Sequence, residues 1–262
     1  MSKKGLDFKC NVMNKKFLLI AVLMLSSIGM FAQAQFSLYA GGAFPMGKFK
    51  QGELKDKYPA KWALMDEKGD KGFAGIGFNV GLDVLLPISA VDGLGITIGA
   101  DYFYNSYNSE LKDYFSDLTD DLDEQFDSYT LKKPRVMNVP IMVGARYLYE
   151  VSDMFGVFGE AGIGANWRKI TSYKVTGDID DADMSTEMLL KYDSSVTFAF
   201  KLGVGIMLAQ HFSIGLDYYN LGGAKVKGKY TEKVDDDESD PVKFKGKALK
   251  CSEFVVRLGY HF

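Results

Sequence analysis

A chain of 262 residues with 47% hydrophobic and 25% charged residues is long enough for one large domain or two small ones, and too apolar to be disordered. Its two cysteines, Cys10 and Cys251, exclude a disulfide framework and a four-cysteine metal site, and a net charge of −3 gives no reason to expect a nucleic-acid partner. With 28 glycines, 6 prolines and 14% aromatics, the composition favours strands and turns over a helical globule.

The only long apolar run, residues 17–31, follows Met13-Asn14-Lys15-Lys16 and precedes Ala32-Gln33-Ala34-Gln35. A basic start, an apolar core and an A-x-A exit predict a cleaved secretory signal peptide over 1–34, with Met13 a second candidate start. Its loss removes five lysines and one aspartate and takes the net charge from −3 to about −7.

Beyond it the sequence alternates. A weak first strand is predicted over 36–44, followed by strands over 75–87, 94–104, 139–149, 155–167, 196–208, 212–218 and 254–262. In the second, Ile76, Phe78, Val80, Leu82, Val84 and Leu86 share one face, opposite Gly75, Gly77, Asn79, Gly81 and Asp83. Phe103 is the exception in the third, where it stands among polar partners. Pro140 is expected to mark a bulge or a rim.

Short links near Asp92-Gly93, Glu150 to Met154 and Ala209 to His211 alternate with long ones near 45–72, 105–134, 169–193 and 221–249. This is the all-β pattern of an eight-stranded antiparallel up-and-down transmembrane β-barrel, with short periplasmic turns and long extracellular loops, over 35–262. Aromatics fall near strand ends on the apolar face, among them Tyr102, Tyr104, Tyr147, Tyr149, Phe155, Trp167, Phe212 and Tyr218. Such girdles favour a membrane barrel over the alternative, a soluble secreted β-barrel or sandwich that binds a ligand.

Asp83, Asp101, Arg146, Glu160, Arg168, Lys201, Asp217, Glu253 and Arg257 all lie opposite the apolar face and form a candidate lumen charge network. Eight strands enclose a space that side chains can fill, so the mixed charges are expected to pair inside it. Interior glycines such as Gly81 and Gly203 would make room for Arg146, Arg168, Tyr219 and Arg257.

The second long loop carries Leu111, Tyr114, Phe115, Leu118, Leu122 and Phe126 at helical spacing, predicting an amphipathic helix with an acidic outer face. The fourth reads as a hairpin extending the last two strands. If strand parity runs on without a bulge, Lys225, Lys227, Lys229, Lys233, Lys243, Lys245 and Lys247 share its inward face. Of these, Lys225, Lys227, Lys229, Lys243, Lys245 and Lys247 are candidate anion-binding residues, for instance toward lipopolysaccharide phosphate. Mutual repulsion favours their pairing with the acidic second loop instead.

No catalytic set is read. The two histidines, His211 and His261, lie in a periplasmic turn and beside the carboxyl end, away from the outer mouth where substrate would meet a base. The acidic runs 178–183 and 235–240 lack the Gly and Glu of an EF-hand loop, so no metal or other cofactor is expected.

The last strand, FVVRLGYHF, places Phe254, Val256, Leu258, Tyr260 and a terminal Phe262 on one face. It resembles the signal read by the outer-membrane barrel-assembly machinery. Asn138-Val139-Pro140-Ile141, FGVFGEAGIGA and LDYYNLG are similar to the Bacteroidetes-type outer-membrane beta-barrel (porin-like) family of small barrels. The resemblance implies an outer-membrane location, lipid and lipopolysaccharide as surroundings, the assembly machinery as a partner during biogenesis, and no catalytic residues. The function expected is structural, or surface interaction with an unknown extracellular ligand through the loops above a filled lumen. The alternative within the same fold is a small porin or transporter for small solutes.

Overall fold

A computed structural model describes residues 34–51, 72–179, 184–235 and 237–262. The signal peptide, most of the first long loop and parts of both acidic runs lie outside the described residues.

Among the described residues fourteen elements follow one another: β1 (Gln35–Pro45), α1 (Gly47–Lys50), β2 (Ala74–Pro87), β3 (Leu94–Tyr107), α2 (Ser109–Gln125), β4 (Ser128–Lys132), β5 (Val136–Ser152), β6 (Phe155–Ile170), β7 (Tyr173–Ile179), β8 (Met184–Tyr192), β9 (Ser195–Leu208), β10 (Phe212–Val234), β11 (Asp237–Glu238) and β12 (Val242–His261). Among them β1, β2, β3, β5, β6, β9, β10 and β12 pair antiparallel with their neighbours, and β12 pairs with both β10 and β1. The sheet therefore closes on itself as an eight-stranded barrel without a free edge, as backbone polar groups in lipid require.

Alternation decides which way each side chain points. Leu38, Leu82, Ile141, Phe198 and Leu258 are all more than half exposed on the outer wall, whereas Asn79, Asn138, Asn166, Asp217 and Glu253 are fully buried inside. This is the inverse of a soluble protein, whose apolar faces turn inward. Phe103 follows parity after all: it points inward and meets the Tyr219 ring edge-on, with centroids 4.9 Å apart.

Pro140 is not at a bulge; it lies beside Val139, which pairs with the girdle residue Trp167 toward the outer rim. It pairs with Asn166 in continuous register, and the ladder to β3 breaks between Ala100↔Ile141 and Phe103↔Asn138, where the missing N–H would have donated.

Past the membrane the long links fold together. β10 continues beyond the barrel and pairs through Gly228–Val234 with β8, which pairs with β7, which pairs with β4. α2 is capped by Asn108, whose side-chain oxygen accepts from the Leu111 N–H at 3.0 Å. The helix buries Leu111, Phe115 and Leu122, with Tyr114, Leu118 and Phe126 packed beside them, in the predicted apolar stripe. Its core joins Phe49 of α1, Phe73, Tyr107, Tyr173, Leu190, Phe244 and Leu249, so one apolar cluster fills the outer mouth.

Candidate functional site: the filled lumen and the outer cap

The barrel interior is organised around one carboxylate. Glu160 on β6 accepts from Arg146 Nη2 at 2.8 Å and Nε at 3.1 Å, pairs with Lys201 Nζ at 3.0 Å, and takes a hydrogen bond from Arg257. Arg146 also reaches Asp83 at 2.9 Å and donates to the Tyr39 hydroxyl at 2.7 Å. Arg257 Nε stands 2.6 Å from Asp217. Six of the nine candidate charges thus form one connected group.

The other three find different partners. Asp101 accepts from the Tyr219 hydroxyl at 3.1 Å and from Asn79 at 3.3 Å, and Glu253 accepts from Asn105 at 3.0 Å. Arg168 donates to Asn138 and to the carbonyls of Leu221, Gly222 and Leu249. It is a backbone clamp, not a salt-bridge partner among the described residues. All nine side chains are buried.

Glycines make this density feasible. A Cβ at Gly203 would strike the Asp217 carboxylate and Glu160, and one at Gly81 would strike Asp101. The cavity left beside Tyr39, Asp83, Asp101, Lys201 and Arg257 is about 10 Å³, room for one water at most. Tyr39 and Asn105 were not singled out by the sequence; Asn105 falls in the predicted link 105–134, whereas β3 runs on to Tyr107. Parity marks their direction but not their partners.

At the periplasmic end, His261 lies between Ser37 Oγ at 2.8 Å and Ser213 Oγ at 2.9 Å, and His211 contacts the Ala209 carbonyl at 2.7 Å. The outward face of β12 presents Phe254, Val256, Leu258, Tyr260 and Phe262, all exposed. With an apolar outer wall, a closed antiparallel ring and a charged interior, one comparison decides the matter: the outer membrane protein beta-barrel domain family matches residues 18–262.

The chain belongs to that family. As an outer-membrane barrel it lives in outer-membrane lipid. The barrel is similar to a major outer membrane protein from Thermus thermophilus, at 14% identity and TM-score 0.45 over 87% of this chain and 99% of that one. It is also similar to OprG from Pseudomonas aeruginosa, at 15% identity and TM-score 0.42 over 87% and 96%, and to Neisserial surface protein A, at 10% identity and TM-score 0.42 over 87% and 97%. No curated protein matches the sequence.

The barrel's lysine hairpin departs from simple parity. β10 carries an extra residue between Asn220 and Gly223, with Gly222 at φ +72°, and β12 carries one between Lys245 and Ala248. Each bulge reverses the facing of everything beyond it. Val226, Gly228 and Phe244 therefore turn inward, while Lys225, Lys227, Lys229, Lys243, Lys245 and Lys247 are exposed on the outside. They do not point toward α2, and none makes an ion pair with a carboxylate among the described residues. Lys233 is only half-exposed and stands opposite Glu187 on β8 and Glu238 on β11.

Proposed function

We propose that this protein is a non-enzymatic outer-membrane barrel that acts through its extracellular cap or as a structural element of the membrane, with its lumen closed by side chains. The observation that carries this reading is the grip of Arg146, Lys201 and Arg257 on Glu160 across the interior. A solute would have to break several charge pairs in a low-dielectric space, which is costly for each charge left alone. Residues 1–34 serve as the export signal, and the outward residues of β12 through Phe262 are read by the assembly machinery. Both histidines lie at the periplasmic end, which favours surface interaction over hydrolysis at the outer mouth. Planar-bilayer recording of the purified barrel tests the closed lumen. No stable single-channel steps are expected; such steps would replace this reading with that of a small porin or transporter.

A further inference from the structure

We propose that the lysine face of the cap sheet docks on the acidic helix α2 of a second copy of this chain, so that barrels standing side by side in the outer membrane join head to tail. The proposal deepens the reading above, since it rests on the cap being the part that meets partners.

The first observation is that the cap has two layers with opposite charge on their outer surfaces. The helix lays Leu111, Phe115 and Leu122 against the inner side of the sheet, in one core with Tyr173, Leu190 and Phe244, and the Phe115 and Tyr173 rings stand 6.4 Å apart. The outer surfaces of the two layers therefore look in opposite directions. Asp113, Asp117, Asp120 and Glu124 recur at helical spacing on the far side of α2, and all four are exposed. Lys191, Lys229 and Lys243 are exposed on the far side of the sheet.

The second observation is register. Lys229 lies directly opposite Lys243 on one side and Lys191 on the other, and no carboxylate stands opposite any of the three in these ladders. Like charges facing each other across a sheet repel. The flanking rows are partly relieved. Nearer the membrane, Asp193 stands across from Lys227 and donates its N–H to that carbonyl; nearer the tip, Glu187 pairs with Lys174 at 2.9 Å. The middle row has three cations and draws no acid from its own sheet.

The third observation is fit. Neighbouring strands lie about 4.8 Å apart, which sets the spacing of the three lysines. Along α2 a rise of about 1.5 Å per residue puts successive acids of the stripe about 4.5–6 Å apart. Each lysine of one copy can thus meet one acid of the next.

Placement allows that meeting. Lys229 stands roughly 20 Å along the strand beyond Gly222, which packs against the Phe198 carbonyl where the apolar wall ends. The row is therefore well above the lipid, where neighbouring caps face one another. β10 and β3, from which α2 rises, are four strands apart in the eight-stranded ring whichever way it is counted, so the two charged layers start from opposite walls. Two barrels inserted the same way up bring the basic side of one to the acidic side of the next by translation alone. Such a contact does not close on itself, so it continues as a row.

The test uses the mature protein refolded into phosphatidylcholine vesicles, with folding checked by heat-modifiable gel mobility. A carbodiimide, which joins an ammonium to a carboxylate in contact with it, is the probe; this lipid offers it neither amine nor carboxylate. At about 0.01 M salt, dimers and a ladder of larger species are expected, and digestion of the dimer should yield peptides joining Lys191, Lys229 or Lys243 to the acids of α2. At about 1 M salt, where the screening length falls from about 30 Å to about 3 Å, the ladder should fade. The variant K191E/K229E/K243E should link about tenfold less, since three exposed pairs become three repulsions. So should D113K/D117K/D120K. Mixing the two variants should restore linking, because each supplies the face that the other has lost. Should either triple variant fail to fold, K229E and D117K are measured in their place.

A folded parent that stays monomeric at low salt overturns the proposal. So does a folded lysine variant that links within about twofold of the parent. A mixture of the two variants that links no better than either alone also overturns it, and would assign the lysine face to a partner other than the helix. Channel steps in the bilayer recording would overturn the closed lumen and leave the ladder intact, whereas a monomeric parent leaves the closed lumen standing, so the two readings fail separately.

Discussion

The Glu160 carboxylate and the Arg257 guanidinium meet in the middle of the barrel although they rise from β6 and β12, strands that share no backbone pairing. The contact crosses the lumen and ties opposite walls together. Arg146 and Lys201 approach the same carboxylate from β5 and β9, so one acid holds three cations.

Glu160→Gln removes the common counter-charge while keeping the shape. Breaking a buried ion pair by neutralising one partner typically costs about 3–5 kcal/mol. Urea unfolding of the barrel in lipid vesicles, followed by tryptophan fluorescence, should show a loss of that order. A loss under about 1 kcal/mol would mean that the cations are satisfied elsewhere.

Phe115→Ala should loosen the cap and spare the barrel. Phe115 packs against Tyr107 and Tyr114 and lies under the Lys133 ammonium. Truncating a buried phenylalanine costs about 3–5 kcal/mol locally. Limited proteolysis from the outside should cut the cap several times faster, with heat-modifiable mobility unchanged.

Gly222→Val should destabilise the protein by at least about 1–2 kcal/mol, because a β-branched residue is forced into the left-handed region at φ +72°. The neighbouring Phe198 carbonyl and Thr197 leave no space for the added atoms. Chemical denaturation of the variant checks this. Gly222→Asn, which tolerates that backbone region better, should be the milder change.

Alkaline pH should open the cap. Tyr173 and Tyr192 lie outside the membrane-spanning strands, and burial raises both hydroxyls above the ordinary tyrosine value near 10. The folded cap therefore holds these protons more tightly than the unfolded one. Their contribution is complete below about pH 10 and is lost as pH rises beyond it. Protease sensitivity of the cap should stay flat up to about pH 10 and rise only above it. The change should be smaller in a Tyr173→Phe, Tyr192→Phe variant.

Phe262→Ser should reduce the assembled fraction in cells more than it reduces stability in vitro. Phe262 is two-thirds exposed and packs mainly against Tyr260, with ring centroids 4.8 Å apart. Comparing outer-membrane yield with vesicle unfolding separates the two effects.

Period-two alternation was enough to place the ring strands and to send Asp83, Arg146, Glu160 and Arg257 to the same side of the wall. It could not pair them, because partners across a lumen depend on barrel stagger and not on spacing along a strand. The same limit separates Arg168, which binds backbone carbonyls, from the charges beside it. Parity also misdirected the lysine hairpin, since a bulge adds one residue and reverses every side chain past it; Gly222-Gly223 was the local cue. α2 was legible because Leu111, Phe115 and Leu122 recur at helical period. The β7–β8 hairpin was not: β8 is half-buried along most of its length, and its alternation is correspondingly weak.

The length of β10 has a consequence for the cap. Its outer half provides the edge on which β8 docks, and β8 in turn holds β7 and β4. The β8–β7–β4 part of the cap thus has no barrel edge to pair with unless the outer half of β10 is in place, so the penultimate strand of the ring serves both the wall and the sheet above it.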